Sequence, residues 1–336
     1  MKLLVTGGAG FIGSNFVHYI AEKYPDYKIK VVDILTYAGD QARLEDIAGK
    51  IEFHKADICD APAMDKLVQD SDMVVHFAAE THVDRSIADP GPFIRSNIIG
   101  TDVVARAALK YNVKRFHHIS TDEVFGSLEL DSQDTFNEET PYNPRSPYSA
   151  SKAASDHLVR AYGETYGLPY TITNCSNNYG PADSPGRIIS LFITNALLDK
   201  PLPLYGRGAF VRDYLFVYDH CSAIDAVLHG DKVGTTYCVG GGAQRNGIQV
   251  AQAILDALGK SKDLIEFVQD RPGHDPRYAI NASKIKADYG WQPSVDFEAG
   301  IKKTIDWYKQ HEAWWRPYKE NLNLLRDESF KRAGAV

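Results

Sequence analysis

The sequence predicts an α/β fold, in which a doubly wound parallel sheet is joined to a smaller, mixed C-terminal region. Strand-like apolar runs alternate with amphipathic helical runs through the first half of the chain. The first strand runs directly into a cluster of glycines and then into a helix. The chain has 336 residues, of which 44% are hydrophobic and 24% charged. That length and composition predict a globular chain of one large domain or two closely joined ones.

The elements of the first half follow from short apolar segments and from helical spacing. Strands are predicted at residues 3–5, 29–32, 51–53, 73–77, 116–119 and 170–172. Helices with one buried face are predicted at 12–23, 97–111 and 148–167. After Pro181 further prolines interrupt the chain and the elements shorten. We therefore predict a first domain over 1–180 and a smaller region over 181–336, some of whose segments return to the first domain.

Charge and cysteine content exclude several classes of protein. The 37 basic against 44 acidic residues give a net charge of −7, which lacks the basic footprint of nucleic-acid or anionic-membrane binders. The four cysteines are widely spaced, so neither a disulfide framework nor a metal site is predicted. Neither a signal peptide nor an apolar run of about 18 residues is evident, and a cytoplasmic location is expected.

The glycine cluster has the spacing of a phosphate-binding turn. Residues 6–13 read TGGAGFIG, in which Gly7, Gly10 and Gly13 permit a tight turn and close approach of backbone N–H groups to a pyrophosphate. Phe11 and Ile12 open the following helix, and Asp33 ends the next predicted strand, twenty positions beyond Gly13. A carboxylate there accepts hydrogen bonds from a ribose diol and repels a 2′-phosphate. The sequence thus predicts a Rossmann-type site for NAD, the alternative being an ordinary glycine turn.

Further cofactor contacts are predicted where later strands end. Thr36 follows the second strand, Asp57 and Ile58 follow the third, and Ala78 and Ala79 follow the fourth. Asp57 and Ile58 are placed to reach the adenine, and the two alanines to line the cofactor with small side chains. Taken alone, an aspartate such as Asp57 is more often a cap or turn residue than a cofactor contact.

A tyrosine and a lysine four residues apart suggest redox chemistry. Tyr148 and Lys152 share one helix face, and a lysine ammonium near a phenol lowers the pKa of the phenol. Such a tyrosine is able to take a proton from a sugar hydroxyl as hydride leaves the carbon. An ordinary helix face is the alternative for this pair when it is considered without the glycine turn.

These motifs together resemble the extended short-chain dehydrogenase/reductases that act on nucleotide sugars. The triplet Thr121-Asp122-Glu123, which follows the fifth predicted strand, is similar to that of the nucleoside-diphosphate-glucose 4,6-dehydratases. The resemblance implies that Tyr148 and Lys152 are the redox pair, that Thr121 binds the sugar, that Asp122 protonates the departing C6 hydroxyl, and that Glu123 takes the C5 proton. A 4-epimerase or decarboxylase needs no such carboxylates. A solvated strand-end turn is the structural alternative.

The resemblance extends from residue 1 to about residue 311. It implies that Asn178 contacts NAD and that a further set of residues holds a nucleoside-diphosphate sugar, with the arginines on the diphosphate: His82, Asn177, Arg187, Ile188, Pro203, Tyr205, Arg212, Arg277 and Tyr278. Arginine suits this task because its planar fork binds phosphate oxygens in pairs. The alternative for Arg212 is a surface ion pair with Asp213.

Departures from the family pattern cluster where the nucleotide would bind. The residues that differ from the usual ones are 182–187, Arg207, 242–244 and Asn174. The substrate is therefore expected to be dTDP-glucose or a hexose carried by another nucleotide, UDP, CDP or GDP. The family also implies a homodimer formed by helices 97–111 and 148–167. A non-catalytic NAD sensor is the rival outside enzymes. It would have no need of the acid, base and redox residues.

Overall fold

The computed structural model describes residues 1–270 and 274–319 of the chain. Residues 271–273, part of one predicted substrate motif, lie outside the described residues, as does the predicted charged tail beyond residue 319. Twelve strands are formed: β1 Lys2–Thr6, β2 Lys28–Asp33, β3 Ile51–Lys55, β4 Met73–His76, β5 Arg115–Thr121, β6 Tyr170–Cys175, β7 Asn177–Tyr179, β8 Leu202–Tyr205, β9 Val211–Phe216, β10 Thr235–Val239, β11 Gln244–Asn246 and β12 Ile265–Val268.

The α-helices of the described residues that connect or follow these strands are α1 Phe11–Lys23, α2 Ala61–Val68, α3 Val83–Ala88, α4 Gly91–Phe93, α5 Thr101–Lys110, α6 Pro147–Tyr166, α7 Ile188–Leu197, α8 Val217–Leu228, α9 Gly247–Leu258, α10 Ser283–Tyr289 and α11 Phe297–Gln310, and residues 312–319 are helical as well. Short 3₁₀ helices cover Gln41–Lys50, Asp122–Phe125 and Lys262–Leu264. No helix in the described part of the chain combines the length and apolarity needed to cross a bilayer.

The central sheet has seven strands in the order β10-β6-β5-β4-β1-β2-β3, and every neighbouring pair is parallel. Its inner strands are almost entirely buried, polar residues of β5 and β6 included, because both faces are covered by helices. One face packs on α1 and α8, and the other on α2, α5 and α6. The strand order reverses between β1 and β4, and in such sheets ligands bind where the order reverses, beyond the carboxyl ends of the strands. The predicted doubly wound fold is confirmed.

The six predicted strands form at the predicted places, but one predicted helix differs. The segment predicted as a helix over 97–111 starts earlier, with a π-helical stretch at Ile94–Gly100 that continues as α5. Gly100 lies against the side chain of Ile58, where a Cβ would come within 2.4 Å of Ile58 Cδ1. A wider helical turn with a glycine at this point therefore lets the helix pass close to the loop that follows β3.

The C-terminal region is smaller and mixed, and the chain also returns to the central sheet. Strand β10 pairs with β6 at the edge of that sheet, and α8 covers its face. The remaining strands form a three-stranded sheet, β11-β9-β7, and a two-stranded sheet, β12-β8. Helices α7, α9 and α11 enclose a separate apolar core with these sheets. The division at residue 180 remains a prediction.

Candidate active site

The glycine turn lies between the end of β1 and the start of α1. Gly7 has φ +69°, and a Cβ at this position would lie 2.5 Å from the backbone nitrogen of Ala78. A Cβ on Gly13 would lie 2.3 Å from the carbonyl oxygen of Gly7. Both glycines are therefore required by the backbone, which passes within contact distance of itself and of the chain after β4. Helix α1 has no acidic residue in its first turn, so the positive end of its dipole faces the turn uncompensated.

Asp33 lies beside this turn at the end of β2. Its carboxylate accepts the N–H of Ala9 at 3.0 Å and that of Leu35 at 2.8 Å. Burial raises the pKa of Asp33, although the two backbone hydrogen bonds and the charge of Arg43 oppose that rise. A glycine cradle that leaves no space for side chains, a helix N-terminus and a buried carboxylate at the neighbouring strand fit a dinucleotide. Gly7, Gly10, Phe11, Ile12, Gly13 and Asp33 would hold NAD here.

Replacing Asp33 with alanine is expected to weaken NAD binding by about 10–100-fold, because a buried acceptor for the ribose hydroxyls is lost. Titration of the protein with NAD, followed by calorimetry, measures this change. Asp26→Ala, at an exposed position, is the control and should leave the affinity unchanged. An unaltered affinity in the Asp33 variant would remove Asp33 from the cofactor site.

The predicted redox pair lies at the start of α6. Ser146 caps this helix in a capping box with Ser149, and Pro147 occupies its first turn. Tyr148 is 8% exposed and shares a hydrogen bond with Thr121, the last residue of β5. The packing of α6 against β5 thus brings the predicted sugar-binding threonine and the predicted base together.

The predicted lowering of the Tyr148 pKa by Lys152 is wrong for this structure. Burial, followed by the negative charge of Glu123, raises the pKa of Tyr148 well above its usual value. The Lys152 ammonium donates to the carbonyl of Ile119 at 2.8 Å and lies 3.5 Å from Nε2 of His118. The two residues share a helix face, but the lysine turns towards the backbone of β5. Burial also lowers the pKa of Lys152, which the carboxylate of Asp156 opposes.

The carboxylate pair forms a one-turn 3₁₀ helix directly after β5. Thr121 caps it through the N–H of Glu123. Asp122 is 1% exposed, and its Oδ2 has no hydrogen-bond partner among the described residues. Burial raises the pKa of Asp122 well above its usual value, and the charges of Glu123 and Asp213 add to the rise. Burial therefore favours the protonated form of Asp122. The predicted alternative of a solvated turn does not describe this buried group.

The C-terminal region brings Arg212, Arg277 and Tyr278 to the same place. The guanidinium of Arg212 lies 4.3 Å from the ring centre of Tyr278, and the charges of Glu123 and Arg212 both act on the pKa of Tyr278. Arg277 is 5% exposed and donates to the side chain of Gln244 at 2.9 Å. Two arginines are thus gathered on the side of the carboxylate pair where an anionic substrate would lie.

Comparisons with known proteins agree with this arrangement. Residues 4–304 match the family model described as GDP-mannose 4,6 dehydratase. A dTDP-glucose 4,6-dehydratase of Mycolicibacterium smegmatis is 50% identical over 98% of this chain and 99% of its own length. The enzyme of that name from Escherichia coli K12 is 48% identical over 94% of each chain.

The chain belongs to the dTDP-glucose 4,6-dehydratase family.

Solved structures agree with this membership. The dTDP-glucose 4,6-dehydratase of Bacillus anthracis, crystallised with NAD, superposes with a TM-score of 0.89 at 46% identity and covers 95% of this chain and 99% of its own. The Streptomyces venezuelae dTDP-glucose 4,6-dehydratase, also with NAD bound, gives a TM-score of 0.91 at 44% identity, over 95% of this chain and 100% of its own. A UDP-glucose 4-epimerase from Thermus thermophilus in complex with NAD gives 0.86 at 30% identity, over 93% of this chain and 100% of its own.

Three further predicted substrate residues are Arg187, Ile188 and His82. Arg187 precedes α7, of which Ile188 is the first residue, and its guanidinium lies 5.3 Å from the ring centre of Phe11. His82 occupies the N-cap position of α3, and the charge of Arg187 acts on its imidazole. Burial, then the positive charges of Arg187 and Arg85, lowers the pKa of His82 to about 4, so this imidazole is neutral. Arg187 therefore lies close to Phe11 and His82, whereas Ile188 packs against the C-terminal core.

The remaining predicted cofactor residues differ in their surroundings. Ala78 touches the turn at Gly7, with Ala79 next in the chain, and Thr36 accepts the N–H of Gly39 through its carbonyl. Asn178 Oδ1 lies 3.0 Å from Nδ1 of His220. Asp57, just before Ile58, pairs with Arg95 at 2.6 Å and accepts the N–H of Cys59 at 2.8 Å. This is the turn role that the sequence left open for Asp57. A contact of Asp57 with the adenine stays a prediction.

The predicted substrate residues outside this cluster lie on short strands. Pro203 and Tyr205 are on β8, and the Tyr205 ring meets that of His274 edge-on at 5.9 Å. Asn177 starts β7, and its buried Oδ1 has no partner within the described chain. The substrate roles of these three residues remain predictions.

The surface ion pair considered for Arg212 does not form. Asp213 is 1% exposed and accepts the N–H of Ala243, while Arg212 turns the other way towards Tyr278. Asp213 alternates with Arg212 along β9, so their side chains point to opposite sides. Asp213 was considered only as an ion-pair partner and not as part of the site, although its charge acts on Asp122 and burial raises its own pKa to about 6. Its place in a strand of alternating polarity is the signal that could have indicated it.

Proposed function

We propose that the chain is an NAD-dependent dTDP-glucose 4,6-dehydratase, a hydro-lyase that removes water from dTDP-glucose to form dTDP-4-keto-6-deoxyglucose. The observation that carries this proposal is the carboxylate pair next to Tyr148 and Thr121, in which Asp122 is buried and Glu123 half-buried. An epimerase must only oxidise and reduce one carbon, whereas loss of water also requires an acid and a base. The names of the relatives, at 47–50% identity over nearly the whole chain, support the same assignment.

Tyr148 begins the reaction by taking the proton of the C4 hydroxyl. Thr121, which shares a hydrogen bond with Tyr148, orients that hydroxyl. NAD supplies the redox chemistry when bound, accepting hydride from C4 and returning it at C6. Burial raises the pKa of Tyr148, and the positive charge of NAD, when bound, would act in the opposite direction and favour the phenolate. Lys152 fixes the geometry of β5 against α6 through Ile119 and adds positive charge to the site.

The elimination uses the two carboxyl groups in different protonation states. A ketone at C4 acidifies the C5 hydrogen, and Glu123 removes it. Asp122, whose protonated form burial favours, donates its proton to the departing C6 hydroxyl. Glu123 returns a proton to C5 as hydride adds at C6, and the proton taken by Tyr148 replaces, through solvent, the one that Asp122 lost. Two neighbouring carboxyls cannot readily both ionise in a buried site, so the pair divides into a base and an acid.

Arg212 and Arg277 would hold the substrate diphosphate, and the unpaired Asn177 Oδ1 would accept a sugar hydroxyl. To test the function, purified enzyme is incubated with dTDP-, UDP-, CDP- and GDP-glucose and with the corresponding N-acetylglucosamine nucleotides. Mass spectrometry should show loss of one water from dTDP-glucose before the others. If only another nucleotide sugar loses water, that nucleotide sugar is the substrate instead of dTDP-glucose. An isomer of unchanged mass would favour the epimerase.

We further infer a homodimer that works in the cytoplasm. Ile94 and Ile99, on the π-helical stretch, and Tyr166, at the end of α6, are each at least half exposed. Apolar side chains left uncovered on adjacent helices are typical of an interface between copies. The four cysteines are free thiols, as expected in a reducing compartment. Sedimentation of the purified protein tests the dimer, and a monomer at micromolar concentration would contradict it.

A further inference from the structure

The chain beyond α11 folds back onto the NAD-binding region. Residues 311–319, here the C-terminal segment, are helical from residue 312. Trp315 is 1% exposed within the core formed by α7, α9 and α11, and its Nε1 donates to the carbonyl of Tyr308 at 2.8 Å. Lys319 donates to Thr194 of α7 at 3.0 Å. The segment is therefore anchored on the C-terminal region.

Its other face holds the loop that follows β2, residues 34–43, here called the cofactor loop. Trp314 Nε1 donates to the carboxylate of Asp40 at 2.8 Å, and the hydroxyl of Tyr318 donates to the same oxygen. The guanidinium of Arg43 lies 5.1 Å from the ring centre of Trp314. Two aromatic donors and a cation–π contact thus join the two regions of the chain at this loop.

The held residues connect directly to the glycine turn. The N–H of Asp40 donates to the carbonyl of Ala9 at 2.9 Å, and Arg43 donates to the same carbonyl at 2.8 Å. Ala9 in turn donates its own N–H to Asp33, the predicted ribose acceptor. Arg43 is 6% exposed and also donates to Ala182 and Ser184 beyond β7. Asp40 and Arg43 therefore transmit the position of the C-terminal segment to the turn and to Asp33.

We propose that the C-terminal segment is a clamp that slows NAD release by fixing the cofactor loop through Asp40 and Arg43. The need for such a clamp rests on the proposed function, in which the same cofactor is oxidised and reduced in each cycle and has no reason to leave. Trp314 and Tyr318 act as positioning residues, because they touch Asp40 rather than the glycine turn.

The test uses a Trp314→Phe/Tyr318→Phe double variant of the full chain. An aromatic ring remains at each position, but both hydrogen-bond donors to Asp40 are lost. The rate at which bound NAD exchanges with labelled NAD is measured without substrate, together with the NAD content after purification. We expect exchange at least about tenfold faster than in the parent, since each hydrogen bond to a charged group typically contributes that much. Trp291→Phe is the control, because it loses an indole N–H bonded to Ser222 in another core cluster.

Asp40→Asn is the second variant and serves also where the double variant does not fold. It keeps the size of the side chain but removes its charge, which weakens both hydrogen bonds. The exchange rate should therefore rise several-fold. Parental exchange rates in the folded variants, or equal acceleration in Trp291→Phe, would overturn the clamp. Exchange is measured without substrate, so the two proposals are tested separately. If the parent protein does not dehydrate dTDP-glucose but the variants exchange NAD faster, the clamp is supported and the proposed function is wrong. If the parent dehydrates dTDP-glucose but the variants exchange NAD at the parental rate, only the clamp is wrong.

Discussion

Replacing Tyr148 with phenylalanine is expected to reduce the formation of dehydrated product by about 10²–10⁴-fold, the range for loss of a positioned general base. The phenol is the group that shares a hydrogen bond with Thr121 and lies within the field of Glu123. Without its oxygen, the C4 hydroxyl has no acceptor for its proton, and no later step is able to begin. Initial rates of product formation, measured by mass spectrometry, check this expectation.

The matched control is Tyr179→Phe, which also removes a buried phenol but from the C-terminal core, where its hydroxyl donates to Phe297. That variant should lose some stability and keep its turnover. NAD binding should be unchanged in Tyr148→Phe, because the glycine turn and Asp33 are untouched. A Tyr148→Phe enzyme that turns over at the parental rate would assign the first proton transfer to another group.

Replacing Glu123 with glutamine is expected to separate the two halves of the reaction. Oxidation at C4 should continue, while elimination slows by about 10²–10⁴-fold because the base for the C5 proton is absent. Quenched reactions should then contain an NDP-4-keto-glucose, which has the substrate mass less two hydrogens. Since the charge of Glu123 raises the pKa of Tyr148, the variant should also carry out the oxidation at lower pH than the parent.

Glu138→Gln is the control for this substitution, because Glu138 accepts the N–H of Cys238 outside the catalytic pair and glutamine preserves that acceptor. The parental enzyme should itself lose elimination as the pH rises through the raised pKa of Asp122, because only the protonated form donates to the C6 hydroxyl. Unchanged turnover in Glu123→Gln would remove Glu123 from the elimination and leave the base unassigned.

The parts of the site that local sequence determines were predictable. The glycine turn, the strand end at Asp33 and the triplet after β5 are each formed by a few consecutive residues. The parallel sheet then brings these separate loops to one edge. The alternation of strands and helices was sufficient for the sheet itself, because each of the six predicted strands contains a short apolar or β-branched stretch between helical segments.

Contacts across long chain separations were not predictable. The pKa of Tyr148 depends on burial and on where the Lys152 ammonium points, which helix spacing does not determine. Asp213 matters through its place on β9 beside Asp122. The contact between Asp40 and Trp314 joins residues 274 positions apart. Each of these is a property of packing rather than of a local motif.

The central claim is that one bound cofactor moves hydride from C4 to C6 while water leaves between them. It is tested most directly with dTDP-glucose carrying deuterium at C4, in ordinary water, with the product examined by mass spectrometry and NMR. We predict a product lighter by one water, with the deuterium at C6 and a solvent hydrogen at C5. A product of unchanged mass with the deuterium still at C4, or a dehydrated product without it, would contradict this account.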